Sequence, residues 1–411
     1  NTPALQAAHV GISIFDPAAN KYLYNYQGDK YFVPASNTKI PTCYAAMKYL
    51  GDSLVGAKIS DSAGVLYLMP TGDPTFLHPD FSEQPVLKIL QQYSRIVICN
   101  DYSIDNFEKY GPGWSWNDYQ EAYMPERNRF PMYGNVFTFY RDSNRLRSIP
   151  NKIIGHPYFN EPMIQMMIVT HGQKEGEFKA EISRNKDENK FHINRAGSEF
   201  KKQLVPFITD DPSEEIQIKL LKDTLEENVK LAEYYYWDFG EPKYIHSQPT
   251  DSLLKPMMHR SDNFFAEQSL LMVSNETLGY MNDEKIIDTI LKTDFKDLPQ
   301  KPRWADGSGL SRYNLFTPQS LVAILNKMKN EFGMERIKVI FPTGGEGTIS
   351  SYYKADSGYI YAKTGTLSGV VAFSGYLYTK KGKLLIFSTL VNNHQSSATD
   401  IRRAIEKFLQ G

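Results

Sequence analysis

A serine and a lysine stand three residues apart at Ser36 and Lys39, in the segment Pro-Ala-Ser-Asn-Thr-Lys. A serine hydroxyl is a weak nucleophile at neutral pH and needs a neighbouring base to take its proton. Residues i and i+3 share one face of a helix, so Lys39 can reach the Ser36 hydroxyl. Burial or a second cation lowers the pKa of a lysine and lets it accept that proton. The pair is therefore a candidate nucleophile and base.

The spacing alone does not identify a catalytic pair, because Ser-x-x-Lys occurs five times in this chain. The other pairs are Ser183/Lys186, Ser198/Lys201, Ser252/Lys255 and Ser351/Lys354. The ordinary alternative for Ser36 is a helix N-cap followed by an exposed lysine. Context favours Ser36, since it alone follows a predicted terminal hairpin and opens an amphipathic helical pattern. The apolar stripe of that pattern consists of Ile40, Cys43, Met47 and Leu50.

Two more short motifs contain residues suited to the same chemistry. Ser261–Asn263 reads Ser-Asp-Asn, in which Ser261 can relay a proton to a leaving amine. Lys363–Thr366 reads Lys-Thr-Gly-Thr at the end of a predicted strand, and no other Lys-Thr-Gly occurs in the sequence. Lys363 can supply the second positive charge that lowers the pKa of Lys39. The ordinary alternatives are a second helix cap at Ser261 and a solvated strand lysine at Lys363.

The three motifs must be positioned by strands and helices around them. The sequence patterns predict that strands from both ends of the chain form one antiparallel sheet. Period-two apolar patterns and the turns between them define five strands. The predicted strands are residues 9–15, 22–26, 359–364, 370–376 and 384–390. An amphipathic helix over residues 398–409 closes the chain and is expected to flank the sheet.

The middle of the chain differs from its ends, with many aromatic residues, turn residues and short strand-like pieces. A helical pattern over residues 216–234 leads back towards the C-terminal strands. We therefore predict an α+β protein with two domains. Residues 61–213 are predicted to form an inserted accessory domain, and residues 1–60 plus 214–411 the domain that contains the three motifs.

Composition excludes several classes of function. Lys and Arg total 46 and Asp and Glu 47, a net charge of -1, which provides no electrostatic reason to expect nucleic acid. The 8 histidines lack zinc-peptidase spacing, and no phosphate-binding Gly-rich loop with Gly-Lys-Ser/Thr occurs, so neither a metal nor another cofactor is expected. No apolar run approaches the ~20 residues of a membrane span. The chain begins without methionine, so we expect a processed protein whose signal peptide has been removed.

The two cysteines do not predict a disulfide framework. Cys43 falls on the apolar stripe after Lys39 and is expected to be a buried free thiol. Pairing of Cys43 with Cys99 remains an open alternative.

The order Ser-x-x-Lys, Ser-Asp-Asn, Lys-Thr-Gly is the active-serine signature of penicillin-binding proteins and class A β-lactamases. The chain most closely resembles the serine-type D-Ala-D-Ala carboxypeptidases/endopeptidases, the low-molecular-mass class C penicillin-binding proteins of peptidase family S13. The resemblance covers most of the chain, and the long stretch between Lys39 and Ser261 is similar to the family's insertion. Four further segments resemble the family: residues 72–75 (Gly-Asp-Pro-Thr), 111–116 (Gly-Pro-Gly-Trp-Ser-Trp), 306–311 (Asp-Gly-Ser-Gly-Leu-Ser) and 347–349 (Gly-Thr-Ile).

The resemblance implies a β-lactamase/transpeptidase-like domain and a role for each residue of the three motifs. Ser36 would be acylated with Lys39 as its base, and Ser261 would relay protons. Asn263 would bind the peptide carbonyl of the substrate, and Lys363 would set the electrostatic field.

Substrate-binding residues are implied in the same way. They are Thr364, Gly365, Thr366, Trp116 and Asp118. Thr364 and Thr366 would contact the terminal carboxylate, and the N–H groups of Ser36 and Thr366 would form the oxyanion hole. The alternative for Trp116 and Asp118 is packing within their own loop. The sequence departs from the family at residues 350–354, where Ser-Ser-Tyr-Tyr-Lys replaces a segment that commonly contains arginines.

The expected function is that of a DD-peptidase of the periplasm or cell envelope. It would hydrolyse the D-Ala-D-Ala bond or D-amino-acid crosslinks of peptidoglycan stem peptides through a serine acyl-enzyme, and β-lactams would acylate the same serine. The alternatives are a β-lactamase or esterase on the same scaffold, and an inactive cell-wall-binding homologue. A class A β-lactamase would need a deacylating segment, and no Glu-x-x-Leu-Asn occurs between Ser261 and Lys363.

Overall fold

A computed structural model describes residues 3–99, 105–142, 145–150, 167–169, 181–194, 201–209, 216–225, 230–233 and 240–411. The helices are α1 Lys39–Tyr49, α2 Pro85–Leu90, α3 Ile216–Leu225, α4 Thr250–His259, α5 Asn263–Leu278, α6 Asp283–Lys292, α7 Pro318–Ile340 and α8 Ala398–Gln410. The strands are β1 His9–Asp16, β2 Lys21–Tyr26, β3 Ser53–Ser62, β4 Val65–Pro70, β5 Arg95–Ile98, β6 Val136–Asp142, β7 Arg145–Ile149, β8 Met167–Val169, β9 Glu181–Arg184, β10 Phe191–Asn194, β11 Lys202–Pro206, β12 Lys230–Glu233, β13 Lys243–Pro249, β14 Ile360–Leu367, β15 Val370–Tyr378 and β16 Leu384–Asn392. Within these ranges, no helix has both the length and the apolar character that a membrane crossing requires.

Both ends of the chain form one five-stranded sheet in the order β14-β15-β16-β1-β2. All of its pairs are antiparallel, and β1 joins β16 in a register that runs from His9 opposite Asn392 to Phe15 opposite Ile386. The predicted α+β fold, with a sheet from both termini, is therefore confirmed. The C-terminal strands extend further than the single-strand patterns predict, because pairing with a neighbour also holds residues outside the apolar alternation.

The chain divides into two compact units. The first consists of Asn1–Leu54, Ile104–Trp114 and Pro249–Gly411, and the second of Val55–Ser103 and Ser115–Gln248. The first unit contains the terminal sheet and all three sequence motifs. The accessory domain at residues 61–213 stays a prediction; the second unit begins before that range and ends after it.

The second unit contains a five-stranded sheet in the order β12-β5-β4-β3-β13 and two three-stranded sheets. Aromatic residues pack in its core, which includes Phe137, Phe139, Phe191 and Phe207. The helix predicted over residues 216–234 is wrong in its second half. It ends at Leu225, and β12 instead pairs in parallel with β5, so that a ladder with a distant strand satisfies its backbone.

Helix α1 is buried on every side, from Lys39 to Met47. It packs against α4, α5 and α7 of the first unit. The prediction of a single apolar stripe was therefore too narrow, since this helix is central and Lys39 lies in its buried part. Cys43 is a buried free thiol, as predicted, and Cys99 is also free, so the two do not pair.

Candidate active site

Ser36 lies in a 3₁₀ turn, Ala35–Thr38, that runs directly into α1. Pro34, not Ser36, is at the N-cap of this turn, and Ala35 adopts a left-handed conformation with φ 47°. Such strained backbone is concentrated at functional sites in proteins. The Ser36 hydroxyl accepts a hydrogen bond from Lys39 Nζ at 3.2 Å. The helix-cap alternative for Ser36 is therefore wrong.

The ammonium group of Lys39 is fully buried and has an acceptor for each of its three protons. These are Ser36 Oγ at 3.2 Å, Asn263 Oδ1 at 2.6 Å and the Ser308 carbonyl at 2.7 Å. A buried cation requires such complete hydrogen bonding to remain in place. Lys39 therefore connects the first two sequence motifs and a third loop.

The four other Ser-x-x-Lys pairs have a different environment. Their lysines, Lys186, Lys201, Lys255 and Lys354, are all exposed. Ser252 and Ser351 are exposed as well, Ser183 is half-buried, and Ser198 lies outside the described residues. Burial therefore separates Lys39 from the lysines that share its spacing.

Ser261 lies in the short connection between α4 and α5. The N-cap of α5 is Asp262, whose Oδ1 accepts from the Phe265 N–H at 3.0 Å, so the cap alternative for Ser261 is wrong. Ser261 itself has φ 62°, a strained conformation for a residue with a Cβ. Its hydroxyl accepts a hydrogen bond from Lys363 Nζ at 2.8 Å. Ser261 and Lys363 thus form a second serine–lysine pair.

Lys363 lies on β14 and is fully buried, so the solvated-lysine alternative is wrong. The strand lies against the Ser36 turn, and Asn37 Nδ2 donates to the Lys363 carbonyl at 2.9 Å. A Cβ on Gly365 would lie 2.7 Å from the Pro34 carbonyl oxygen and 2.9 Å from the Ser36 nitrogen. The glycine of Lys-Thr-Gly is therefore required for close approach of the strand to the turn.

The two buried lysines differ in electrostatics. Burial lowers the pKa of Lys39 to about 8, although the charges of Asp306, Glu267 and Asp262 act in the opposite direction. Burial, together with the positive charge of Lys39, lowers the pKa of Lys363 well below its ordinary value. Lys39 is therefore neutral in part of its population near neutral pH and can accept the Ser36 proton.

The loop at residues 306–311 holds the third acceptor of Lys39. The Asp306 carboxylate fixes the loop by accepting from the backbone of Gly309 at 2.8 Å and of Ser311 at 2.7 Å. It also accepts from the indole of Trp114 at 2.9 Å. These bonds hold the loop so that the Ser308 carbonyl faces Lys39.

Sequence reasoning did not assign a role beside Lys39 to Glu267 or to the Ser308 carbonyl, although Ser308 lies in the family-like segment 306–311. Glu267 Oε1 accepts from the Ser308 N–H at 2.7 Å, and its charge raises the pKa of Lys39. A signal for Glu267 exists, because it follows Asn263 by four residues and so lies on the same face of α5. Ser308 acts through its carbonyl, which leaves no signal in the side-chain sequence.

The predicted carboxylate-binding threonines have different surroundings. Thr364 is buried, and its Oγ1 donates to Thr348 Oγ1 at 2.7 Å. Thr366 is exposed, and its Oγ1 accepts from Arg402 Nη2 at 2.6 Å. Sequence reasoning did not single out Arg402. The hydroxyl of Thr366 thus lies at the accessible end of the β14 motif.

Trp116 and Asp118 form a short 3₁₀ turn in the second unit. Trp116 is 72% exposed, and the Lys186 ammonium lies 5.6 Å from the centroid of its ring. The substrate-binding role of both residues stays a prediction.

Two serine–lysine pairs brought together by a buried helix and a strand define an active-serine hydrolase of the penicillin-binding type. The D-Ala-D-Ala carboxypeptidase 3 (S13) family matches residues 1–411, and the chain belongs to that family. The family expected from the sequence, and with it a serine-type carboxypeptidase, is thereby confirmed.

Individual relatives agree with this assignment. The D-alanyl-D-alanine carboxypeptidase DacB of Haemophilus influenzae is 25% identical, over 95% of this chain and 87% of the relative. The D-alanyl-D-alanine carboxypeptidase of Actinomadura sp. strain R39 is 25% identical, over 96% of this chain and 80% of the relative. The crystal structure of penicillin binding protein 4 from Haemophilus influenzae superimposes with a TM-score of 0.76 at 20% identity, covering 100% of this chain and 98% of the other. That likeness supports the fold.

Proposed function

We propose that this protein hydrolyses the D-Ala-D-Ala bond, or a D-amino-acid crosslink, of peptidoglycan stem peptides through an acyl-enzyme on Ser36. The observation that carries the proposal is the hydrogen bond of the Ser36 hydroxyl with a fully buried lysine of lowered pKa. Since that substrate is part of the cell wall, the protein would act in the periplasm or elsewhere in the cell envelope.

Acylation begins when neutral Lys39 takes the proton of Ser36 Oγ and the oxygen attacks the carbonyl carbon of the scissile bond. The N–H groups of Ser36 and Thr366 stabilise the oxyanion, which the close approach of β14 to the Ser36 turn supports. Asn263 accepts from Lys39 through Oδ1, so its Nδ2 is the atom that can donate to a substrate carbonyl.

The proton taken from Ser36 must finally reach the leaving amine. Ser261, which is hydrogen-bonded to Lys363, gives its own proton to the amine and recovers one from the lysine pair. The net result is transfer of one proton from Ser36 to the departing amino group. Water then attacks the ester carbonyl and gives a proton to Lys39. The bond to Ser36 Oγ breaks, Lys39 returns the proton to that oxygen, and the shortened peptide leaves with a free carboxyl group.

A β-lactam contains an amide in a strained ring, so the same attack would open the ring and leave an ester on Ser36. The Haemophilus influenzae protein has been crystallised in complex with a β-lactam, which supports this expectation through the shared fold. Labelling of Ser36 by benzylpenicillin is the direct test of the proposal.

The labelling experiment measures intact mass and then locates the adduct by peptide mapping. We expect one penicilloyl group on Ser36 in the wild type and none in Ser36→Ala. Ser252→Ala is a matched control, because Ser252 has the same spacing to an exposed lysine, and it should label like the wild type. An adduct on another residue, or no adduct, would contradict the proposal. Rapid turnover of nitrocefin without an accumulating adduct would instead favour a β-lactamase.

Substrate preference requires a second measurement. Release of D-alanine from a linear pentapeptide reports the carboxypeptidase reaction, and cleavage of a crosslinked muropeptide reports the endopeptidase reaction. Activity on either substrate that disappears in Ser36→Ala supports the proposal, and activity that persists in this variant contradicts it.

A further inference from the structure

Arg402 lies beside the accessible end of the β14 motif. It belongs to the first turns of α8, whose N-cap is Ser397, with Oγ accepting from the Asp400 N–H at 3.1 Å. Arg402 Nη2 donates to Thr366 Oγ1 at 2.6 Å. The helix that closes the chain thus places a guanidinium next to a hydroxyl predicted to bind the substrate carboxylate.

The charge of Arg402 is not paired with an acid anywhere in the described ranges. Its Nε is buried and has no hydrogen-bond acceptor among the described residues. The neighbouring Arg403 differs, since it forms an ion pair with Glu406 and donates to the Ser351 carbonyl at 3.1 Å. Two adjacent arginines on one helix therefore differ in whether their charge is already neutralised.

Packing restricts the position of the Arg402 side chain. The ring of Tyr352, which is buried, lies 6.0 Å from the Arg402 guanidinium carbon and 4.4 Å from that of Arg403. Contact with an aromatic ring holds a guanidinium without using its N–H donors in that direction. Arg402 is thereby oriented before any ligand binds.

We propose that Arg402, together with Thr366, binds the free carboxylate at the C-terminus of the substrate and so makes the enzyme selective for peptides with a free end. The inference rests on the proposed function. A guanidinium presents parallel N–H donors that match the two oxygens of a carboxylate. Thr366 Oγ1 accepts from Arg402, so its own proton can be donated to the same carboxylate.

Lys363 is a cation on β14 itself, but its ammonium already donates to Ser261 Oγ at 2.8 Å and to the Thr364 carbonyl at 2.8 Å. It is also fully buried, whereas Thr366 is exposed. Arg402 is therefore the cation whose position and unpaired charge suit an incoming carboxylate.

The test compares N-acyl-Lys-D-Ala-D-Ala with the same peptide carrying a C-terminal amide. For each enzyme, the ratio of kcat/KM on the acid to kcat/KM on the amide measures recognition of the carboxylate. We expect the wild type to prefer the acid and Arg402→Gln to lose about 10- to 100-fold of that preference, mainly through KM. Arg402→Lys should recover part of it, because it keeps the charge but not the paired donors.

Arg403→Gln is the matched control, since Arg403 is on the same helix and contacts the same ring but does not bond to Thr366. It should retain the wild-type ratio. A wild type without preference for the acid, or an Arg402→Gln enzyme that keeps the preference, would overturn the inference. An equal loss of kcat/KM on the acid and on the amide would also overturn the inference, because it would indicate that Arg402 has a merely structural role.

Failure of this inference is distinguishable from failure of the proposed function. Penicilloylation of Ser36 is measured in parallel for the wild type and both Arg402 variants. If the wild type neither hydrolyses the acid nor forms the adduct, the proposed function fails and this inference with it. If the wild type does both and the ratio does not depend on Arg402, only the inference fails.

Discussion

The surroundings of Lys39 and of Lys363 differ, although both side chains are fully buried. Lys39 donates to the Ser36 hydroxyl, a side-chain amide and a backbone carbonyl. Lys363 donates to the Ser261 hydroxyl and to a backbone carbonyl. Each lysine is thus hydrogen-bonded to one serine hydroxyl. The two lysines differ in the charged groups that lie near them and act on their pKa values.

Three carboxylates raise the pKa of Lys39 against the effect of burial, and it remains at about 8. Burial, and after it the positive charge of Lys39, lowers the pKa of Lys363 well below its ordinary value. The charges near Lys39 thus favour its protonated form, whereas the charge near Lys363 favours its neutral form. The acids around Lys39 therefore favour a positive charge on Lys39.

The largest effect is expected from Lys39→Met, which removes the base but keeps an unbranched side chain. Acylation of Ser36 by benzylpenicillin should slow by about 10³-fold or more, since general-base catalysis contributes about 10²- to 10⁴-fold. In the wild type, the acylation rate should rise with pH through an inflection near 8, because Lys39 accepts a proton only when it is neutral. Stopped-flow or quenched-flow mass measurements from pH 6 to 9.5 give both quantities.

Two results would contradict this assignment of the base. One is a Lys39→Met enzyme that acylates within tenfold of the wild type. The other is a wild-type rate that falls as the pH rises from 6 to 8.5. Exposed Lys255, which has the same spacing to a serine, provides the control: Lys255→Met should leave rate and inflection unchanged.

Lys363→Met should have the second-largest effect. Loss of the ammonium that holds Ser261 should slow turnover by about 10- to 100-fold, as expected for a hydrogen bond to a charged group. The inflection near pH 8 should stay in place, because burial and three carboxylates, not the charge of Lys363, set the pKa of Lys39. An inflection that moves to higher pH would show instead that the positive charge of Lys363 lowers the pKa of Lys39, as the sequence motifs predict. The same pH series measures both.

Much of the fold follows from local sequence patterns. The strands of the terminal sheet are predicted because one face of each is buried, which leaves a period-two pattern. Their ends are less predictable, since Asn392 belongs to β16 through pairing with His9 at the other end of the chain. The prediction of helix at β12 was wrong for the same reason. Its strand conformation depends on pairing with β5, which is far away in sequence.

The site was predictable in its side chains but not in their environment. The order of three motifs identifies four candidates, and the structure brings them into two hydrogen-bonded pairs, Ser36 with Lys39 and Ser261 with Lys363. The depth of burial that lowers the lysine pKa values depends on packing of several helices, which no motif encodes. The acceptor at Ser308 is a backbone carbonyl, and Arg402 comes from a helix with no motif at all.

Glu267→Gln should alter the pH profile more than the maximal rate. The glutamine oxygen can still accept from the Ser308 N–H, but the negative charge that raises the pKa of Lys39 is lost. The inflection should therefore move below 8, and the acylation rate at pH 7 should rise by about two- to fivefold, since one pKa unit is tenfold in the neutral fraction. Glu276→Gln, an exposed glutamate of the same helix, should show no shift. An inflection that is unchanged or higher in Glu267→Gln would refute the role of the acids.

The smallest effect is expected outside both lysine neighbourhoods, at Trp116 in the second unit. If Trp116 contacts the side chain of the substrate, Trp116→Ala should raise KM for a stem peptide by about two- to tenfold, the range of a single aromatic contact. The pH inflection and the acylation rate with benzylpenicillin should not change, because the lysine pair is intact. Tyr359→Ala removes another exposed aromatic residue and should leave KM unchanged. An unchanged KM in Trp116→Ala, with a lower melting temperature, would mean that Trp116 only packs within its loop.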